Sequence, residues 1–223
     1  MKKNIVNHDP VGYPKRTRLH KRVVIIGHTS GIGAKFFEYY CRAEAEVLGF
    51  SRSGGYDIGT DEARKRILLE CVDADIFINN AFHPTGQLEM LKEIVELWGL
   101  TDKKIINISS KISLVKEPKE KTEMIFLAKK ELNEFIRSRL FRPSPRILNV
   151  IAGLVNTETS SKIYESPAAI DAEELVNFVG WLIERETIHV QEMVIDSPGL
   201  DWSSIKTKDA NWSYEKWKFI DTP

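Results

Sequence analysis

Six short runs rich in β-branched and apolar residues alternate with longer stretches of helical periodicity, and that alternation leaves few folds open. The runs are RVVIIG (22–27), EVLGFS (46–51), DIFINN (75–80), KIINIS (104–109), RILNVIA (146–152) and EMVID (192–196). Between them, GAKFFEYYCRAEA (33–45), DEARKRILLECV (61–72) and the stretches near 87–98, 122–140 and 172–184 read as helices. Thr60 stands where the second of these needs a cap. Strand and helix in strict repetition predict a parallel sheet covered by helices on both faces, which is why the runs are apolar throughout rather than alternating. No repeat or low-complexity linker divides the pattern. The sequence therefore predicts one α/β domain over 22–199, with a basic extension (1–21) before it and an aromatic-rich tail (200–223) after it.

Charge narrows the partners. Lysine plus arginine and aspartate plus glutamate each number 32, for a formal net charge of zero. That balance argues against a chain whose main business is nucleic acid. The stretch from Met1 to Arg22 is the exception: Lys2, Lys3, Lys15, Arg16, Arg18, Lys21 and Arg22 face one acid, Asp9, and Pro10, Gly12 and Pro14 break any regular structure. It reads as a solubilising arm, with contact to a polyanion or partner as the alternative. Cys41 and Cys71 sit inside helical stretches without metal-like neighbours, so no metal is expected and the usage fits a reducing compartment. No run has the length of a membrane span or the apolar core of a signal peptide, so a cytoplasmic location is expected and no membrane partner. In the tail, Trp202, Trp212, Tyr214, Trp217 and Phe219 are spaced to anchor it by packing, or to close over a pocket.

The first strand runs into GHTSGIG and then a helix. Glycines at 27, 31 and 33 let the backbone turn tightly and approach a phosphate, which the free N–H groups of a helix N-terminus would face. This is the layout of a Rossmann-type doubly wound sheet. The end of the second strand carries Ser51 and Arg52 where an acid would select NAD; a hydroxyl with a guanidinium suits the 2′-phosphate of NADP instead.

Several ordered motifs across about 22–199 resemble the short-chain dehydrogenase/reductase family. GHTSGIG, with Gly27, Thr29, Ser30, Gly31, Ile32 and Gly33, resembles its cofactor turn, and YDI places Asp57 as its adenine-side acid. INNAF, with Asn79, Asn80 and Ala81, resembles the Asn-Asn-Ala-Gly motif, with Phe82 in the glycine's place. INISS puts Ser110 at the catalytic serine position. NVIAGLVNTET resembles the segment beside the nicotinamide: Gly153, Val155 and Thr157 fit, while Ala152 replaces a proline. EMVIDSPG resembles the last strand and its turn.

The resemblance implies hydride transfer between a nicotinamide and a carbonyl or alcohol, with a tyrosine four residues before a lysine as proton donor. In EMIFLAKKEL the lysine is Lys129, and the tyrosine position holds Ile125; shifting the register to Lys130 only brings in Phe126. The helix QLEMLKEIVELW also lacks the asparagine of the family's proton relay, and the connection after the second strand is short. The chain thus resembles a compact, divergent member. Two functions follow from this pattern. One is an NADP-dependent oxidoreductase acting on a small-molecule carbonyl or alcohol, with Ser110, Lys129 and a proton donor from elsewhere, Tyr164 first and His83 second. The other is an inactive NADP-binding sensor or scaffold. The resemblance also implies a homodimer or homotetramer, for which the apolar helix 122–140 is a contact candidate.

Overall fold

In a computed structural model, which describes residues 21–142, 144–165, 168–200 and 206–208, the predicted alternation closes into one six-stranded sheet. The elements in chain order are β1 (Arg22–Ile26), α1 (Gly31–Arg42), β2 (Glu46–Phe50), α2 (Asp61–Cys71), β3 (Ile76–Asn79), α3 (Gly86–Trp98), β4 (Lys104–Ser110), α4 (Glu123–Arg137) and β5 (Arg146–Ala152). There follow β6 (Val155–Asn156), α5 (Glu158–Ile163), β7 (Tyr164–Glu165), β8 (Ile170–Asp171), α6 (Ala172–Ile183), β9 (Glu192–Ile195) and β10 (Lys206–Thr207). The basic extension up to residue 20 and the tail aromatics Trp202, Trp212, Tyr214, Trp217 and Phe219 lie outside the described residues.

The sheet order is β2-β1-β3-β4-β5-β9, and every pairing in it is parallel. The chain leaves β1 toward β2, then crosses back over β1 to β3. That reversal opens a crevice beyond the carboxyl ends of β1 and β3, where open α/β sheets bind ligands. Residues of opposite parity along each strand feed two cores. Val23, Ile25, Ile78, Ile106 and Val150 pack against Phe36 and Tyr40 of α1 and Leu175, Val176 and Val179 of α6. Val24, Ile26, Phe77 and Ile105 pack against Ile67 of α2, Met90, Leu91 and Ile94 of α3, and Leu132 and Ile136 of α4. Thr60 caps α2 as its position predicts, its hydroxyl accepting from Ala63 N at 3.3 Å. Burial of the apolar residues of α4 is one-sided: Phe126, Leu132 and Ile136 are buried, while Met124 and Leu127 are 36% and 49% exposed.

One layer of this second core is polar. Asn79, Asn107 and Asn149 occupy the same register on β3, β4 and β5 and are fully buried. Asn79 Nδ2 donates to Asn107 Oδ1 and Asn107 Nδ2 donates to Asn149 Oδ1, each at 2.8 Å. Asn149 Nδ2 in turn donates to Asn133 Oδ1 on α4 and to Glu192 Oε2 on β9, both at 3.0 Å. The ladder gives partners to side chains that would otherwise be desolvated without them, Asn79 Oδ1 being the one ladder atom left without a hydrogen bond. Replacing Asn107 by leucine strands a donor on Asn79 and an acceptor on Asn149. Urea unfolding is expected to show a loss of about 2–4 kcal/mol, and a loss under about 0.5 kcal/mol would mean the ladder contributes nothing.

Candidate functional site

The crevice is a cleft of about 1400 Å³ running from the end of β2 across β1, β3 and β4 to the segment after β5. Its centre is the turn between β1 and α1. Gly27 and Gly31 have φ of +77° and +57°, values that L side chains rarely adopt. A Cβ on Gly27 would also lie 2.9 Å from Asn80 Nδ2, the group that donates to Gly27 O at 3.0 Å and ties the end of β3 to the turn. Thr29, Ser30, Gly31 and Ile32 line the cleft. Ser30 is the N-cap of α1 but its side chain makes no capping bond, and no acid occupies the first turn. The N-terminal N–H groups and the positive end of a twelve-residue helix are therefore left for an anion or for water. Gly33, expected among the cofactor contacts, is not on the wall. It is buried behind the turn, where a Cβ would overlap Gly27 O, so its role is the close approach of α1 to that turn.

At the β2 end, Ser51 is buried and Arg52 is exposed, and both line the cleft. Ser51 Oγ accepts from Gly54 N at 3.2 Å and shares a 3.1 Å hydrogen bond with Ser53 Oγ, which fixes the turn that carries Arg52. Asp57 Oδ1 accepts from Gly59 N at 2.9 Å and also borders the cleft. Between them Tyr56 packs edge-on to Phe50 at 4.7 Å, with the Arg66 guanidinium 4.3 Å over its ring. This end offers an aromatic wall beside two guanidinium groups.

The other end is built on α4 and β4. Ile125, Lys129 and Ser110 line the wall together with Phe82, Gly153, Val155, Thr157 and Tyr164. Lys129 is only 6% exposed. Its Nζ donates to Gln87 Oε1 at 2.7 Å and to Ile108 O at 2.8 Å, and lies 5.2 Å over the Phe82 ring. Burial pulls its pKa down from the ordinary 10.5 to about 7. Lys130, its neighbour in sequence, is exposed. Ser110 Oγ accepts weakly from Ile112 N at 3.4 Å at the start of the following turn, and is half-buried. Thr157 caps α5 through a reciprocal pair of bonds with Ser160.

The two proton-donor candidates have different surroundings. His83 Nδ1 accepts from Gly86 N at 3.0 Å at the start of α3, and its ring packs on Gly59, so it serves as a helix cap. Tyr164 opens β7, which pairs antiparallel with β10 of the tail, and burial raises its phenol pKa. Asn80 and Ala81 reach the cleft, but Asn79 does not: it is fully buried in the asparagine ladder, where its Nδ2 also donates to Gln87 O at 3.1 Å. Gln87 itself is absent from the sequence expectations. Its Nε2 donates to Asn79 O and Ile108 O at 3.0 Å, while its Oε1 receives Lys129. A signal for it does exist: Gln87 stands three, four and seven residues before Met90, Leu91 and Ile94, the only amide on the buried stripe of α3.

No family model and no curated protein sequence matches this chain. Solved structures do match its fold. A 4-hydroxyisoleucine dehydrogenase complexed with NADH aligns at TM-score 0.63 and 18% identity, covering 80% of this chain and 97% of that one. A short-chain dehydrogenase from Burkholderia cenocepacia in complex with NADP aligns at 0.64 and 19%, covering 80% and 89%. The glucose dehydrogenase of Caenorhabditis elegans, in its apo-form, aligns at 0.64 and 20%, covering 81% and 98%. The chain is thus similar in fold to short-chain dehydrogenases/reductases, at low sequence identity. Among the described residues, no helix is long and apolar enough to cross a membrane.

The burial of Lys129 has a measurable consequence. Its folded-state pKa of about 7 lies below the 10.5 of an ordinary lysine, so between those values the unfolded chain binds more protons and stability rises with pH. Relative to Lys129→Met, the wild-type protein is expected to gain roughly 1.4 kcal/mol per pH unit across that window. Urea melts of both proteins from neutral to alkaline pH measure it.

Proposed function

We propose that the protein is an NADP-dependent oxidoreductase acting on a carbonyl or alcohol of a small molecule. The observation that carries this is the cleft at the strand reversal, with the uncapped N-terminus of α1 at its centre and a buried lysine on the same wall as Ser110 at one end. The likeness in fold to proteins solved with NADH and with NADP supports a nicotinamide dinucleotide as the class of cofactor. The residues present fit such a group. Gly27 and Gly31 leave room for a pyrophosphate over the α1 N–H groups, and Ser51, Arg52 and Asp57 would take the adenosine end. Asn80, Ala81, Gly153, Val155, Thr157 and Lys129 would enclose the nicotinamide and its ribose. The bound nicotinamide would supply or accept the hydride.

Ser110 would donate a hydrogen bond to the substrate oxygen, and Tyr164 borders the same space. Ile112, Leu114, Val115 and Ile125 give that end of the cleft an apolar wall, which suits a substrate whose body is apolar. Ile125, which has no proton to give, favours the second reading, an NADP-binding sensor or scaffold without turnover. In either case the exposed Met124 and Leu127 of α4 are the proposed contact of a homodimer or homotetramer.

NADP preference rests on Arg52. NADPH is expected to bind more tightly than NADH, and Arg52→Ala is expected to weaken NADPH by about 10- to 100-fold while leaving NADH unchanged. NADPH fluorescence titration checks this; equal affinity for the two dinucleotides in the wild-type protein would contradict it.

A further inference from the structure

Lys129 is a lysine without an anion. No carboxylate lies within ion-pairing distance of it among the described residues, and its two acceptors, Gln87 Oε1 and Ile108 O, are both neutral. Its remaining neighbour on the cleft side is the ring of Phe82. An ammonium carries three N–H groups and an amine two. The two acceptors therefore take both N–H groups of the amine, and they leave the third N–H of the ammonium without a hydrogen-bond acceptor among the described residues. Lys129 lines the cleft alongside Ile125 and Ser110, the space proposed for the substrate oxygen.

We propose that Lys129 itself exchanges the proton with the substrate oxygen, with Gln87 as the positioning residue that holds the amine for it. The proposal rests on the oxidoreductase reading. In the reducing direction the C=O π bond would break as a bound nicotinamide dinucleotide supplied the hydride to its carbon. Its oxygen takes the proton from Lys129 Nζ, and the neutral amine regains one from solvent through the cleft. Oxidation runs the same transfers backwards.

The surroundings keep both protonation states within reach near neutral pH. Burial alone lowers the pKa of Lys129, to about 7, while burial raises that of Tyr164. The titratable side chains that share this end of the cleft are His83, Lys111, Glu117, Lys119 and Tyr164. Lys111 is ion-paired with Asp196, and His83 accepts from Gly86 N. Arg52 and Asp57 follow β2, three strands away from β4. Gln87 is held from behind by the backbone oxygens of Asn79 and Ile108, so its Oε1 is fixed toward Nζ whichever state the lysine is in.

The test uses NMR of isotope-labelled lysine ε-carbons alongside NADPH binding and turnover. One resonance, absent from Lys129→Arg, is expected to titrate near pH 7. In Gln87→Glu the new carboxylate favours the ammonium, and the midpoint is expected to rise by about one unit or more. In Gln87→Leu the lost acceptor is expected to move it down, which covers the case in which the glutamate variant does not fold. NADPH oxidation with a panel of small aldehydes and ketones is expected to have an alkaline limb that follows the same midpoint and shifts with it. A lysine that titrates with all the others, or a limb that stays in place while the midpoint moves, overturns the proposal. NADPH binding without turnover of any carbonyl also counts against it and favours the sensor reading. Absence of NADPH binding overturns the oxidoreductase reading itself, and this proposal with it.

Discussion

Burying the Lys129 amine without a counter-charge is the constraint around which the candidate site is arranged. An unpaired ammonium in a protein interior is strongly disfavoured, and the usual remedy is a carboxylate. Here the remedy is a set of fixed dipoles. Gln87 turns its carbonyl oxygen to Nζ, and its amide nitrogen is anchored on the backbones of β3 and β4. Asn79 binds the backbone oxygen of Gln87 and continues into the asparagine ladder, which ends on Glu192, itself paired with Arg137 at the surface. A carboxylate beside Lys129 would hold the proton permanently; an amide positions the nitrogen and lets the proton come and go. Moving Gln87 out of place would leave the amine with the Ile108 carbonyl as its one remaining acceptor among the described residues.

The same ladder explains how the sheet and the site depend on each other. Asn79, Asn107 and Asn149 each face the α3 and α4 side of the sheet, Asn79 at the end of β3 and the other two in the middle of β4 and β5. They match only in one register, because a slip by one residue would turn each amide into the opposite core. Asn133 of α4, one turn after Lys129, accepts from Asn149 and from Ser109 and donates to Ser113 beyond the end of β4. The helix that carries Lys129 is thereby tied at the correct height above the strand that carries Ser110. Specificity of register and placement of the site are one set of hydrogen bonds.

Most of the fold was legible because each strand and helix announces itself locally: runs such as RVVII and RILNVIA need no partner to be recognised. The turn at Gly27 and Gly31 was legible from its spacing, and the family resemblance singled out Ser110 and Lys129, which line one cleft. What could not be read were relations between strands. Asn79 looked like a cofactor residue because it stands beside Asn80; alternation along the strand turns one asparagine into the core and the other to the crevice. Gly33 looked like part of the phosphate loop, but it is a packing glycine under it. His83 stood near the mouth of the sheet as a lone imidazole, and the local geometry made it a cap of α3. Gln87 was visible as a polar residue on an apolar stripe, yet its partner lies on a helix 42 residues further on.

We propose that a nicotinamide dinucleotide phosphate lies in this cleft with its 2′-phosphate against Arg52. The most direct measurement is a crystal structure of the protein grown with NADPH. The pyrophosphate is expected over the N-terminus of α1, the 2′-phosphate within hydrogen-bonding distance of Arg52 and Ser51, and the nicotinamide between Ser110 and Gly153. Dinucleotide bound in another orientation, or a cleft that stays empty at saturating NADPH, would contradict it.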